Sequence, residues 1–332
     1  MTDKLVSILI PCYNHEQFLD DCLGSILAQD YKNIELLICD DCSPDNSYAK
    51  ILSYEQQLKQ RFSRVEILRN EVNCGVTKNV NRMLAMAEGD YIKTIASDDA
   101  MAPNAISAMV RYLQENPNVD VVVTNGVNVP EEQRYPDFHG TGKIYSAAPN
   151  FSADGFFERV ARRNEISAPA AMVRMSVYEK YGFYDETVKV EDYEFWLRVL
   201  QQGATQFGFL DKDLLYYRIN ANSMTSLSAN AGLARRRKLI HESEIGTLQK
   251  FRSCLCKQAY SEIVVQRIAA EWWMAVQYDM TDWEKELHQS WKHFDGWKDL
   301  PLNKKVWATL FSWKQALKKS MKRTGLGKRA AR

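Results

Sequence analysis

Over the first 126 residues, strand-like and helix-like patterns alternate, and this limits the possible folds more than any other feature of the chain. Residues 6–10 form a β-rich apolar run. Between residues 15 and 29, Phe18, Cys22, Leu23, Ile26 and Leu27 then recur at helical spacing. Residues 34–39 and 65–68 read as strands separated by a polar helical segment, 45–61. A helix over 77–88 stops at Gly89, a strand over 91–96 follows, and a further helix and strand occupy 103–115 and 119–124. Such alternation predicts an α/β class: a mostly parallel sheet with helices on both faces, right-handed crossovers, and a ligand crevice at the carboxyl ends of the strands.

Those strand ends carry polar chemistry. The first ends in Pro11, Cys12, Tyr13 and Asn14, the second in Asp40 and Asp41, and the fourth in the adjacent pair Asp98 and Asp99. Mg²⁺ or Mn²⁺ takes oxygen ligands from one or two carboxylates and completes its shell with substrate phosphates, so the pair points to a diphosphate substrate. The same pair can also just begin a loop and cap the helix that Pro103 opens. Neither GxGxxG after the first strand nor GxxxxGK[ST] is present, so a dinucleotide fingerprint and a P-loop are excluded as explanations.

Residues 127–149 are rich in turn formers and read as an excursion from the core. Beyond them, 151–163 reads as a helix and 169–174 as a short strand near the crevice. In KVEDYEFWLRVLQQG, Phe195, Val199 and Leu200 fit one helix face, with Trp196 and Leu197 widening it and Glu191 and Asp192 in the first turn. Acids there are stabilised by the positive helix end, worth about 0.3–1 kcal/mol, which is a sufficient structural reason for both.

With 332 residues and 45% apolar content, the chain can bury a large core and form one big domain plus an appendage, or two domains. A net charge of +1 gives no global attraction to nucleic acid, and none is expected as a partner. No apolar run approaches the roughly 20 residues of a membrane span, and the start is too quickly polar for a signal peptide, so the expected address is cytoplasmic. Seven scattered cysteines suit reduced thiols better than a disulfide framework, and the lone CxxC of Cys39 and Cys42 lacks the second pair a zinc site needs. From about residue 230 only helical patterns occur. The stretch from Leu302 to the end holds ten Lys and Arg and no Asp or Glu, with Trp307, Leu310, Phe311 and Trp313 able to share a face. Such a helix suits either an anionic membrane surface, as a peripheral contact through 303–332, or packing on its own domain.

Taken in order, SILIPCYNHEQFLDDCLGSILAQDYKNIELLICDDCSPDNS, NCGVTKNVNRMLAMAEGDYI, SDD, EDYEFWLRV and LLYYRINANSMTS resemble glycosyltransferase family 2 over about residues 4–226. The resemblance implies a GT-A fold over 1–228 with a helical region over 229–332. It also implies a nucleoside-diphosphate sugar donor with a divalent cation, and transfer with inversion at the anomeric carbon. Pro11 and Tyr13 match positions lining the base pocket, and Asp41 matches an aspartate that hydrogen-bonds the base. A carboxylate there accepts from the imide N–H of uracil, which favours a UDP-sugar. Asp40 is the weaker of the two aspartates. Lys78 matches a position on the phosphate side, though it also fits a solvated helix face.

By the same resemblance Asp98 lies near the ribose, Asp99 on the metal, and Asp192 is the catalytic base with Glu191 as its companion. Ala96 stands where an aspartate is frequent, and Asn220 where a histidine is common in a YRxHxxS pattern matched by Tyr217, Arg218 and Ser223. Arg218 is then expected to carry a phosphate contact alone. The implied setting is bacterial surface polysaccharide synthesis at the inner membrane face, with a glycan or lipid-linked acceptor. The rival readings are a sugar-phosphate nucleotidylyltransferase, disfavoured by the absence of a glycine-rich basic loop in PCYNHEQF, and a non-catalytic subunit of a membrane-associated synthase.

Overall fold

Strand β1 (Val6–Cys12) is apolar along almost its whole length because strands lie on both sides of it and its side chains are buried on both faces. In the computed structural model, which describes residues 3–151, 154–203, 205–220, 233–277 and 280–300, β1 is followed by β2 (Ile34–Asp40), β3 (Arg64–Arg69) and β4 (Tyr91–Thr94). These four run parallel in the order β3-β2-β1-β4, as the sequence alternation predicts. Helices α1 (Leu19–Leu27), α2 (Ser47–Arg61) and α3 (Val76–Leu84) connect them. The apolar side of α1 buries Leu19, Cys22, Leu23 and Ile26, each such aliphatic side chain being worth about 1.5–3 kcal/mol.

Beyond β4 the order departs from simple alternation. The remaining elements of this part are β5 (Ala100–Met101), α4 (Ala105–Glu115), β6 (Val121–Pro130), β7 (Gly142–Lys143), α5 (Phe156–Arg162), β8 (Ala171–Arg174), α6 (Met175–Tyr181), α7 (Glu191–Gln201) and β9 (Phe207–Ile219). The nine strands form one sheet in the order β3-β2-β1-β4-β8-β6-β9-β5, with β7 beside β6. The segment expected as a short strand beside the crevice is β8, which sits inside the sheet, antiparallel to both β4 and β6. The expected excursion at 127–149 begins only after Pro130, because β9 pairs with β6 as far as Pro130 and Ile219. The register shifts around Asn125, and there Gly126 lies so close to β9 that a Cβ would stand 2.5 Å from the Leu215 carbonyl oxygen.

The chain divides into two compact units, Met1–Ser226 and Leu227–Arg332. The described residues of the second contain α8 (Leu233–Lys250), α9 (Lys257–Gln277) and α10 (Thr281–His293) and no strand. Ile263, Ile268, Trp272, Trp283, Leu287 and Trp291 form its core, and Arg237 pairs with Glu271. Ser223 and the basic stretch 303–332 lie outside the described residues. Among the described residues, no helix is long and apolar enough to cross a membrane.

Candidate active site

Between β4 and β5 the chain makes a tight turn, closed by the Asp99 N–H donating to the Ala96 carbonyl at 3.1 Å. The turn carries Asp98 and Asp99 at the carboxyl end of β4. Asp99 is buried; its Oδ1 accepts from the Arg218 backbone N–H at 2.9 Å, while its Oδ2 is enclosed without a hydrogen-bond partner. Burial, and then the neighbouring charge of Asp98, holds the Asp99 carboxyl well above the usual carboxylate range. Lys93, on β4, is also fully buried. Burial lowers its ammonium to about 7, against the opposing pull of Asp99, and Nζ donates to the carbonyls of Thr94 and Pro169.

An enclosed carboxylate oxygen that lacks a donor, beside a second carboxylate, is a place that an oxygen-seeking divalent cation fits. Among the described residues no group of three or more His, Cys, Asp or Glu side chains could hold a metal ion. Most of the shell of such a cation would therefore come from substrate oxygens and water. The Asp98 side chain is more open than Asp99, at 11% exposure, and His15 Nε2 stands 3.8 Å from its Oδ2. Asn220 Nδ2 lies 3.5 Å from the same oxygen.

Where β1 and β2 end, Pro11 is partly exposed and Tyr13 is exposed. Asp41 is buried just beyond β2. Its Oδ1 accepts from Asn70 Nδ2 at 2.7 Å and the Cys74 N–H at 3.0 Å, and its Oδ2 from the Gly75 N–H at 2.8 Å. Burial alone would raise this carboxyl, but the hydrogen bonds from Cys74, Asn70 and Gly75 hold it below its ordinary value. Asp41 thus fastens the loop that leads into α3, where Gly75 takes a positive φ of 88° as the N-cap. Asp40 Oδ2 accepts from the Ser43 N–H at 3.1 Å and faces Arg69 at 3.4 Å, while its Oδ1 is enclosed without a hydrogen-bond partner. Lys78 is exposed in the first turn of α3.

Arg218 departs from its expected role. Its side chain is buried and all three guanidinium nitrogens donate to protein acceptors: Nε to the Asp98 carbonyl at 2.9 Å, Nη1 to the carbonyls of Glu131 and Gln133, and Nη2 to Asp21 Oδ2 at 2.7 Å. The rings of Phe18 and Phe138 lie 4.9 and 5.1 Å from the guanidinium carbon. So saturated a group ties the Asp98–Asp99 turn to α1 and to the residues after β6, and it is not directed at a phosphate.

Asp192 lies in the first turn of α7. Its Oδ2 accepts from Asn164 Nδ2 at 3.0 Å and its Oδ1 from the Tyr193 N–H at 2.7 Å. Burial, then the charge of Asp192, pushes Glu191 up to about 7. The 164–170 segment connects this region to the Asp98–Asp99 turn: Asn164 holds Asp192 at one end, and the Pro169 carbonyl receives Lys93, which is paired electrostatically with Asp99, at the other. Sequence reasoning passed over His15, Asp21, Lys93 and Asn164. Only Lys93 had a local signal, being the one charge inside an otherwise apolar strand.

Solved structures share this fold. TarS 1-349 from S. aureus in complex with UDP-GlcNAc superposes with a TM-score of 0.57 over 87% of this chain and 91% of that one, at 17% identity. The mannosyltransferase PcManGT from Pyrobaculum calidifontis, in complex with GDP-Man and Mn2+, gives 0.55 over 95% and 87%, at 14% identity. The mixed α/β sheet is thus of the GT-A kind, and the chain is a glycosyltransferase. Residues 7–182 match the sequence profile of Glycosyl transferase family 2, and the chain belongs to that family.

Among its relatives is the UDP-Glc:alpha-D-GlcNAc-diphosphoundecaprenol beta-1,3-glucosyltransferase WfgD of Escherichia coli, 28% identical over 229 residues, covering 68% of this chain and 81% of WfgD. An uncharacterized glycosyltransferase of Haemophilus influenzae is 27% identical over 232 residues, 67% of this chain and 68% of its own length.

Proposed function

We propose that this enzyme transfers a sugar, with inversion, from a UDP-sugar to a hydroxyl of a glycan or lipid-linked glycan in the synthesis of a bacterial surface polysaccharide. The observation that carries the reading is the enclosed, partnerless Oδ2 of Asp99 at the end of β4, within a family 2 chain. The names of WfgD and of the TarS complex support a uridine donor, and that of WfgD a lipid-linked acceptor.

On this reading Asp192 takes the proton from the acceptor hydroxyl as its oxygen attacks the anomeric carbon. The Asn164 amide and the Tyr193 N–H each donate to one of its oxygens, which fixes the direction of the carboxylate. Glu191, raised to about 7 by burial and the neighbouring Asp192, carries a proton part of the time near neutrality, which relieves repulsion between the two side chains. Pro11 and Tyr13 border the base, Lys78 reaches the phosphate side, and Asp98 meets the ribose. Mg²⁺ or Mn²⁺ held by Asp99 would supply positive charge to the departing diphosphate.

The deciding experiment measures UDP release and acceptor labelling from a panel of UDP-sugars with Mn²⁺, in wild type and Asp192→Asn. The variant should keep nucleotide-dependent thermal stabilisation and lose about 10²–10⁴-fold in transfer. Full transfer by the variant, or no stabilisation of the wild type by any nucleotide, would overturn the reading. The work is placed in the cytoplasm at the inner membrane face, with 303–332 in peripheral contact with anionic lipid. Deleting that stretch should abolish pelleting with anionic vesicles while sparing donor hydrolysis, and unchanged pelleting would remove the contact.

A further inference from the structure

The loop after β1 is held as a rigid arm. The Asn14 N–H donates to Ser43 Oγ at 2.9 Å, the His15 N–H to Ser47 Oγ at 3.0 Å, and the Glu16 N–H to Asp45 Oδ2 at 3.0 Å, so three successive backbone donors are fastened to the 43–47 segment. Asn14 takes a φ of 56°, which turns the chain sharply before His15. The imidazole then reaches across to the β4 turn. Its Nδ1 pairs with Ser97 Oγ at 2.8 Å, and its edge packs on Phe18 with centroids 5.8 Å apart.

Ser97 is completely buried and a hydroxyl can donate to Nδ1, which leaves the proton on Nε2. That nitrogen stands 3.8 Å from Asp98 Oδ2, beyond hydrogen-bond length, while both side chains remain partly open, at 24% and 11% exposure. Asn220 Nδ2 donates to the same oxygen at 3.5 Å. A donor and an acceptor so fixed, too far apart to satisfy each other, leave room for a group that accepts from one and donates to the other. A sugar hydroxyl does both, and two adjacent hydroxyls do so with less strain.

We infer that His15 is a donor-binding residue: its Nε2–H and the Asp98 carboxylate together hold the ribose hydroxyls of the nucleotide. The inference rests on the nucleotide-sugar reading above and names a contact within it. His15 adds recognition of ribose over deoxyribose and takes no part in the proton transfer.

The test is isothermal titration of UDP, 2′-deoxy-UDP and 3′-deoxy-UDP, with Mn²⁺, into wild type, His15→Ala and His15→Gln. Wild type should bind at least one deoxy analogue about tenfold more weakly than UDP. In His15→Ala the UDP affinity should fall about five- to tenfold, and the ribose preference should shrink by about the same factor. His15→Gln, which keeps an N–H on a side chain of similar reach, should recover part of both. An undiminished ribose preference in a folded His15→Ala, with UDP still bound, would refute the contact yet leave the function standing. Failure of wild type to bind UDP at all would overturn both.

Discussion

Replacing Arg218 by alanine should unfold the protein more readily long before it weakens nucleotide binding by the folded form. Its ion pair with Asp21 is 2.7 Å long, with side chains 0% and 4% exposed. Removing one partner of a buried pair costs about 3–5 kcal/mol, and the lower end applies here because Asp21 keeps the Tyr135 N–H at 2.9 Å and Arg134 at 4.0 Å. The carbonyls of Asp98, Glu131 and Gln133, at 2.9, 3.0 and 2.8 Å, also lose their donor. Water entering the space restores part of that loss, so a total near 5 kcal/mol is expected. At a urea m-value of about 2 kcal/mol per molar, this moves the unfolding midpoint by about 2.5 M.

Arg218→Lys keeps a charge for Asp21 but not the planar fork, and should lose about half as much. Asp21→Asn should approach the alanine variant, and the double substitution should cost less than the sum of the singles, since each removes the same contact. The assay is urea unfolding followed by tryptophan fluorescence, paired with UDP titration at a temperature where every variant is folded. A wild-type urea midpoint in Arg218→Lys, together with tenfold weaker UDP binding, would show that the guanidinium serves the phosphate and that its role as a tie is wrong.

In the helical unit, His241 is buried and its imidazole is lowered to about 4 by burial and then by Arg267 and Arg237. The folded form therefore binds this proton less readily than the unfolded form. Its contribution is intact above pH about 6.5 and is lost as pH falls toward 4, by about 3 kcal/mol, and His241→Gln should flatten that loss in far-UV circular dichroism melts between pH 7 and 4.5. At Gly89, a Cβ would stand 2.4 Å from Ser7 Oγ and 2.6 Å from its backbone nitrogen, so Gly89→Ala should destabilise by about 1–3 kcal/mol in urea unfolding. A variant as stable as wild type would show that β1 can shift.

Strands β1, β2 and β4 were legible because each is a largely apolar run bounded by polar residues, and burial on both faces leaves that signature, whereas β3, a half-buried edge strand, showed only as a short β-rich run. Strands β5 and β7, two residues each, carry no period to read. The central place of β8 was hidden for another reason: four residues in AMVR say that a strand exists but not which neighbours it takes. The carboxylates at the strand ends were named from the sequence, and so was Asp192. What they do was less accessible, because it depends on partners remote in the chain. Arg218 looked like a phosphate ligand until Asp21, 197 residues earlier, was found against it. Asp41 likewise meets Cys74 and Gly75 only after β3 has been laid down.

The pairing of β5 has a consequence for how the protein is made. Strands β1, β2 and β3 find their partners within the first hundred residues and β4 gains its second in β8, whereas among the described residues β5 pairs with Leu215 and Tyr216 of β9 alone. The turn bearing Asp98 and Asp99 lies between β4 and β5, so in a growing chain the turn is fixed only once β9 has been made. In pulse-labelled hydrogen exchange during refolding, the amides of β2 should be protected before the amide of Arg218, which caps Asp99. A chain cut short before β9 thus lacks the Arg218 N–H that caps Asp99.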